Sequence, residues 1–521
     1  MTHRGRTRTA AEIGAGLAPA RAARPIREGE RIHVVGIAGA GASAAALLAQ
    51  AAGASVSGCD PGGPSPYSAA VEAAGIEVEW RHDDEHVSRW RPARLAVTKA
   101  LTAIAPDHPE LAAARAAGIA LEPWQQVIAD AARTSGQRLV GVAVTHGKST
   151  TASWVVEMLA RAGRDPSAFV GALLPADIAG VAARGRPATA RWGKGADFVI
   201  EADEYAGNFD PFRPAVAVLV TAEWDHPDVF ADEDAVLDAF AAWIRNGEGS
   251  GGERPVLVAN VGRPGVRGVL ERLGEGAARV VPVVLVDREE DLVAEARAPL
   301  GMLAGAVVAA DTERTRLRIH GLPDGPAEVD LHVPGRHNAE NALVVTGAAL
   351  ALGLSTGEIV EGLRSFAGAA RRLELKGEIG GVAVLDDYGH HPTAVAATLE
   401  AARQRYPGRR LWAVYEPLTY HRTAAMLDSF ADVLALADRV AVADIWAGRD
   451  PDTTVTSSAA LADAVNRRRP IASASGSVER TAAWLAGQVA RGDVVVVMGG
   501  GRSYRIAELL TERLTSAASL H

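Results

Sequence analysis

The sequence predicts an α/β protein of three domains with mainly parallel sheets. Three observations carry that expectation. From Arg31 onward, short apolar, β-branched runs alternate with Ala- and Leu-rich helical stretches, the pattern of βαβ units. The 521 residues leave room for about three domains at ~100 to 200 residues each. A polar stretch, ARTSGQR at 132 to 138, and the Arg371–Arg372 pair then mark two breaks in the pattern. The expected divisions are 1–30 as a disordered tail, 31–135, 136–368 and 369–521.

Composition narrows the function. Hydrophobic residues make up 48% and charged residues 22%, which fits an ordinary globular chain rather than a disordered or fibrous one. A formal net charge of -9 supplies no basic footprint, so neither nucleic acid nor an anionic membrane is an expected partner. No run approaches the ~18 apolar residues of a membrane span. Residues 1 to 29 hold arginines among alanine, glycine and proline, and Glu12 interrupts the one short apolar stretch, so a targeting segment is not expected there. The single cysteine, Cys59, excludes an internal disulfide, fits a reducing compartment such as the cytoplasm, and reads as a small core residue.

The first block opens with the strand RIHVVG (31 to 36), a glycine loop, a helix near 42 to 52, and a second strand ending at Asp60. In the loop GIAGAG, residues Gly39, Gly41 and Ala44 fit dinucleotide spacing, and Asp60 stands where such a domain binds a ribose. That turn suits a nicotinamide cofactor, which makes an oxidoreductase the rival reading, but it holds any nucleotide diphosphate, a UDP sugar included.

The second block starts with LVGVAV (139 to 144), the loop THGKSTT (145 to 151) and a helix to about Ala162. Only four lysines occur, Lys99, Lys148, Lys194 and Lys376, and one of them sits in this loop. A strand, a GK[ST] loop and a helix start form a phosphate cradle in which Lys148 meets the terminal phosphates and Ser149 meets magnesium. The strict pattern wants glycine where Val142 stands. Two acidic clusters, EADE (201 to 204) and EWDHPD (223 to 228), follow the strands FVIEAD and AVAVLV. In a parallel sheet both would lie beside the phosphate loop, where hard oxygen donors and one imidazole suit magnesium, with Glu201 and His226 as the chosen ligands. Farther on, GRHNAENA puts Asn338 and Asn341 three apart at a helix start, where two amides can pair with a base edge.

The third block runs from VAVLDDYGHHP (382 to 392) through LWAVYEP (411 to 417) to DVVVVMGGG (493 to 501). Arg371 and Arg372 stand before it at a hinge, from which an arginine can reach a transferring phosphoryl group when domains close. Asp387, Tyr388, His390 and His391 gather at a strand end. No nearby cysteine or third histidine completes a zinc set there, so substrate recognition is expected.

The ordered set GIAGAG, SGCD, THGKSTT, EADE, DH, GRHNAENA, RRLE, DDYGHHP and TYHRT resembles the Mur ligases, most of all their alanine-adding branch, from about Ile32 to Leu510. The resemblance implies a Rossmann-like UDP-sugar-binding domain, a central P-loop ATPase-like domain, and a Rossmann-like C-terminal domain that admits an amino acid. It implies ATP and magnesium as cofactors, UDP-N-acetylmuramate and an amino acid as small-molecule partners, and amide formation through an acyl phosphate. By position it implies Thr145, His146, Gly147, Lys148, Ser149, Thr150, Asn338, Asn341, Arg372 and Asp387 at ATP. Ser149, Glu201 and His226 would hold metal, and Lys148, Glu201, His226 and Arg372 would be catalytic. Gly39, Ala40, Gly41, Ser43, Asp60 and His82 would meet the UDP sugar, and Tyr388, His390 and Arg422 the amino acid.

Several positions depart from the family. Val144 replaces a glycine, and its Cβ is expected to crowd the phosphate turn. Arg81 replaces the glycine before His82; Tyr205 and Ala206 replace serine and aspartate after EADE; Glu416, Pro417 and Leu418 replace glutamine, proline and histidine; Gly389 replaces an alanine. The carboxy-terminal glycine loop reads GGGRS (499 to 503), and no lysine between Lys194 and Lys376 is placed to become a carbamoylated metal support. Tyr205 and EWDHPDVF are similar instead to the tripeptide-recycling branch, while TYHRT and ADIWAGRD (443 to 450) are similar to the alanine branch. A catalytically weak Mur-like scaffold is the remaining alternative.

Overall fold

This computed structural model describes residues 7–105, 107–292, 302–448, 450 and 452–518. Its strands form three sheets. The first has five parallel strands in the order β3-β2-β1-β4-β5, with β1 Arg31–Val35, β2 Ser55–Cys59, β3 Glu77–Glu79, β4 Arg94–Val97 and β5 Ala120–Pro123. Helix Ala40–Ala51 makes the crossover from β1 to β2.

The second sheet has ten strands in the order β15-β14-β13-β12-β11-β10-β6-β9-β7-β8. Its centre is parallel: β6 Arg138–Val142 lies between β10 Val216–Leu219 and β9 Asp197–Glu201. The flanks are β7 Ser167–Leu174 and β8 Ala188–Arg191 on one side, with β11 Val256–Asn260, β12 Arg279–Val286, β13 Leu303–Ala310, β14 Thr315–His320 and β15 Ala327–Leu331 on the other. Antiparallel pairing appears at both edges, in β7–β8 and β13–β14–β15. A third sheet orders its six strands β16-β17-β21-β18-β19-β20. These are β16 Glu374–Ile379, β17 Val382–Asp387, β18 Leu411–Tyr415, β19 Arg439–Ala443, β20 Ala472–Gly476 and β21 Val494–Met498, and only β16 runs antiparallel to its neighbour.

The period of two along these strands decides where the cores lie. In β21, Val494, Val496 and Met498 enter one apolar cluster and Val495 and Val497 another, because helices cover both faces of a parallel sheet. In β1, Ile32 and Val34 face a core that continues without a break into the middle domain through Ala44, Val140 and Trp154, while Val35 faces a separate small cluster with Cys59. Ser43 on helix Ala40–Ala51 reaches Thr189 of β8, with 3.2 Å between their hydroxyl oxygens. The first two domains are thus fused through one core, and the third has its own.

The expected disordered tail is a correction from Thr7 onward. Ile13 is fully buried beside Tyr205 and Ala206, and Ile26 packs in the main core. Arg21 places Nη2 2.9 Å from Glu122 and 2.7 Å from Asp130, carboxylates that Arg94 also holds from inside the fold at 2.7 and 2.5 Å. The arginines that lowered the segment's hydrophobicity are therefore partners for buried acids, and two isoleucines are enough to seat it.

Candidate active site

A cavity of 620 Å³ opens where the three sheets meet. The loop after β6 forms its floor. Gly147 has a φ of 89°, a left-handed value that glycine takes without strain, and it begins helix Lys148–Arg161 with no side-chain cap. The first amides of that helix therefore face the cavity as donors for an anion. Val144, expected to crowd the turn, puts its side chain fully into the core, and its carbonyl accepts from Lys148 Nζ at 2.5 Å.

Because β9 and β10 flank β6, the two acidic loops come beside the phosphate loop as expected. Lys148 Nζ lies 2.5 Å from Glu204 Oε2 and 3.8 Å from Asp203. Burial opposes its charge, but the two carboxylates outweigh it and raise its pKa. Burial pushes Glu204 up to about 7 despite Lys148, and its Oε1 has no hydrogen-bond partner. Glu201, also raised by burial, accepts from Gly171 N at 2.6 Å and Ser149 Oγ at 3.2 Å. His226, at a strained φ of 56°, turns Nε2 toward Glu204 Oε1 at 3.9 Å.

Across the cavity, the third domain contributes Arg372, whose guanidinium donates to Ser149 Oγ at 3.1 Å and lies 5.1 Å over the Tyr388 ring. Arg422, only 4% exposed, pairs with Asp225 at 2.7 Å. His390 is half-buried beside that guanidinium, and desolvation first, then Arg422, hold its pKa well below the ordinary range. Thr393 donates to Glu223 at 2.7 Å, and His146 stacks on His391 with ring centres 4.2 Å apart. Ala40 and Gly41 complete the wall from the first domain; Trp124 fills the space beside Gly41, where a Cβ would fall 2.2 Å from the ring.

The cavity gathers Thr145, His146, Gly147, Lys148, Ser149, Glu201, His226, Arg372, Tyr388, His390 and Arg422, together with Ala40 and Gly41. The other expected residues lie elsewhere. Thr150 and Asn338 line a neighbouring cavity of 330 Å³ with Arg372. Helix Arg336–Ala351 begins before Asn338, and Asn341 Nδ2 donates to Asn338 Oδ1 at 3.3 Å while its own Oδ1 touches the space over Gly147. Asp387 is spent on the backbone N–H groups of Leu373 and Gly389 and on Thr398 Oγ1, at 2.7 to 3.0 Å, so it anchors the turn rather than facing the cavity. Gly39 precedes helix Ala40–Ala51, Ser43 is buried against Thr189, and Asp60 accepts from Ala38 N at 3.1 Å. His82 lies among other histidines behind β2. The expectation overlooked Asp203, Glu204, Glu223 and Asp225, although all four stand inside motifs it singled out.

Comparison with known families now decides the kinship. The Mur ligase family catalytic domain matches residues 31–135, the Mur ligase middle domain 142–349, and the Mur ligase glutamate ligase domain 371–501. This chain belongs to the Mur ligase family. Its relatives include the UDP-N-acetylmuramate–L-alanine ligases of Frankia casuarinae, 38% identical over 81% of this chain and 84% of that one, and Acidothermus cellulolyticus, 36% identical over 92% and 93%. Among solved structures, the UDP-N-acetylmuramate-alanine ligase of Thermotoga maritima shares the fold with a TM-score of 0.72 at 21% identity, over 94% of this chain and 99% of that one. A murein peptide ligase from Psychrobacter arcticus follows at 0.67 and 25%, over 93% and 99%. In a Mur ligase the first glycine loop serves a ligase, not an oxidoreductase.

Proposed function

We propose that this Mur ligase joins L-alanine to UDP-N-acetylmuramate in the cytoplasm, using ATP and magnesium, as a step of peptidoglycan precursor synthesis. One observation carries the reading beyond the shared name of its relatives. A phosphate loop, a first-domain glycine loop and the third-domain residues Tyr388, His390 and Arg422 meet in a single cavity, as a three-substrate condensation requires.

The residues fit the nucleotide and the cation. The uncapped helix start at Gly147 and the ammonium of Lys148 suit the phosphates of ATP, with Asn338 and Asn341 behind the loop for the base. Glu201, Asp203 and Glu204 are hard oxygen donors, and the unpartnered Glu204 Oε1 beside His226 is the atom a cation would satisfy. Magnesium bound there would supply charge neutralisation at the transferring phosphoryl group. Arg372, held flat over Tyr388, brings a further positive charge from the closing domain.

The order of events follows from these positions. Lys148 and Arg372 draw charge from the γ-phosphoryl group while the muramoyl carboxylate attacks it, giving an acyl phosphate and ADP. Closure of the third domain keeps water from that mixed anhydride. Arg422 fits the carboxylate of the amino acid, and His390, which desolvation and Arg422 keep neutral, fits the wall beside the incoming amine.

The test is a panel of L-alanine, glycine, L-serine and a muropeptide-type tripeptide, each with UDP-N-acetylmuramate, ATP and magnesium, followed by product mass and ADP release. An L-alanyl product formed in step with ADP supports the reading. A tripeptide product without an alanyl one overturns it.

A further inference from the structure

Six chemistry-bearing side chains of the first domain meet on the sheet face turned away from the shared core. His33 of β1 and Cys59 of β2 point to the side on which Val35 and Val97 make their separate cluster. There they meet His86 of helix Glu85–Trp90 and Glu110 of helix Pro109–Ala116, with His82 and His108 at the rim. Glu110 is the hub. Its Oε1 lies 2.9 Å from His33 Nε2, 2.8 Å from His86 Nδ1 and 3.3 Å from Cys59 Sγ, and its Oε2 lies 3.3 Å from His82 Nδ1. All four inner residues are at most 1% exposed.

A single carboxylate does not use so many donors well. His86 Nε2 and both ring nitrogens of His108 are buried with no hydrogen-bond partner, and His108, 7% exposed, sets its ring edge-on to His82 with centres 4.3 Å apart. One thiol, several imidazoles and a carboxylate converging on one point match the ligand chemistry of a borderline-soft divalent cation.

We propose that His33, Cys59, His86 and Glu110 form a binding site for a transition-metal dication of the zinc class, separate from the catalytic cavity. Bonds of about 2.0 to 2.3 Å in a tetrahedron set neighbouring donors roughly 3.3 to 3.7 Å apart, so Glu110 Oε1, now 2.8 to 3.3 Å from His86, His33 and Cys59, draws back by about half an ångström to admit the ion. His33 is already oriented as a ligand, because its Nδ1 lies 2.9 Å from Ser57 Oγ, an outer partner that leaves Nε2 to the metal. Binding releases the Cys59 thiol proton to solvent, and thiolate plus carboxylate then balance the dication. His82, whose side chain is 17% exposed, marks the entry side, with His108 behind it.

The site braces the first glycine loop. The carbonyl of Cys59 accepts from Gly36 N at 2.8 Å and Ile37 N at 3.1 Å, so a metal that fixes Cys59 also fixes the turn before Ala40 and Gly41.

The full-length protein, stripped with chelator and returned to excess magnesium, is titrated with Co2+ and then Zn2+. The proposal expects one equivalent of tetrahedral cobalt with a thiolate charge-transfer band, displaced by zinc, and a zinc-dependent rise in melting temperature. Cys59→Ser should abolish the band. His86→Ala should weaken cobalt binding by at least about tenfold, and Ser57→Ala by ~10-fold. No charge-transfer band in the wild-type protein at cobalt saturation would sink the proposal, whatever the variants do. So would a band that survives Cys59→Ser, or an affinity that both His33→Ala and His86→Ala leave unchanged.

Discussion

The guanidinium of Arg422 lies 2.7 Å from Asp225 Oδ1 and 3.0 Å from His226 Nδ1, tying the third domain to the acidic loop after β10 of the second. Arginine has no acceptor, so His226 Nδ1 must accept, and neutral His226 carries its proton on Nε2. An amino-acid carboxylate that draws Arg422 away leaves His226 able to take the other tautomer and offer Nε2 to a cation. On the proposed function, arrival of the amino acid and binding of a cation would be linked through this one arginine.

Removing Arg422 takes the guanidinium from the buried Asp225 and leaves it the His226 backbone N–H at 2.6 Å and His226 Nε2 at 3.7 Å. Arg422→Ala is expected to lower stability by about 3 to 5 kcal/mol, read by urea unfolding. Arg422→Lys keeps the charge and should lose much less. A loss under about 1 kcal/mol in Arg422→Ala would mean that Asp225 is held by other groups.

Lys148 must leave Glu204 to meet phosphate, and Glu204 titrates at about 7 in the folded protein. Below that pH the carboxyl is neutral and the competition for Lys148 falls away. Cation-free ADP should therefore bind more weakly as pH rises through 7, and Glu204→Gln should remove that part of the dependence. Calorimetry on both proteins, one pH unit either side of that value, measures it; parallel profiles would contradict the competition.

Lys148→Ala should abolish ATP turnover in a protein that still folds, because Glu204 can protonate once its partner is gone. Steady-state ADP release and a melting curve decide it together. Retained turnover would move the phosphate site elsewhere.

Glu416 offers a cleaner titration. Burial pushes its carboxyl from the ordinary 4.5 up to about 7, and its Oε2 has no hydrogen-bond partner. A raised carboxyl pKa favours the fold below 4.5 and loses that contribution as pH climbs through 7. At ~1.4 kcal/mol per pH unit, Glu416→Gln should stabilise the protein by about 3 kcal/mol near pH ~8 and by almost nothing near pH ~4. Equal unfolding midpoints under the alkaline condition would refute this.

Deleting residues 1–18 uncovers Tyr205 and Ala206, which Ile13 shields, but spares Arg21 and Ile26. The truncated protein should keep its fold and lose several-fold in kcat/KM, through a looser 203–208 turn. Unaltered kinetics would show that this turn holds its shape unaided.

What was legible from sequence was what one strand and its following loop contain. Lys148, Glu201 and His226 each follow a β-branched run, and parallel pairing of β9 and β10 with β6 brings them together without further information. The zinc-class cluster was illegible because its six residues come from five segments with no recurrent spacing, and only the face of β1 that His33 occupies unites them. The amino-terminal segment was misjudged because composition counts arginine as solvated, whereas Arg21 and Arg94 share Glu122 and Asp130. Asp387 matches the ATP site by position, but its carboxylate accepts three hydrogen bonds inside the third domain, from Leu373 N, Gly389 N and Thr398 Oγ1. Asp203, Glu204, Glu223 and Asp225 stood in plain view, and nothing in a linear motif tells a ligand from the residue that holds the ligand's partner.

The unbroken core through the first two domains limits how this enzyme can move. An apolar core cannot be parted and re-formed in each turnover at tolerable cost, so those domains travel as one body. The third is attached to them by polar bridges, Arg372 to Ser149, Thr393 to Glu223, His391 Nε2 to the Trp224 carbonyl and the buried pair Arg422 to Asp225. The swing that lets product out breaks these bridges and parts small contacts, the His146–His391 stack and Trp224 on the third-domain core, rather than a shared core. Salt and viscosity should thus slow or speed turnover through product escape, while heat should melt the molecule in two blocks, with the smaller one being the part that swings.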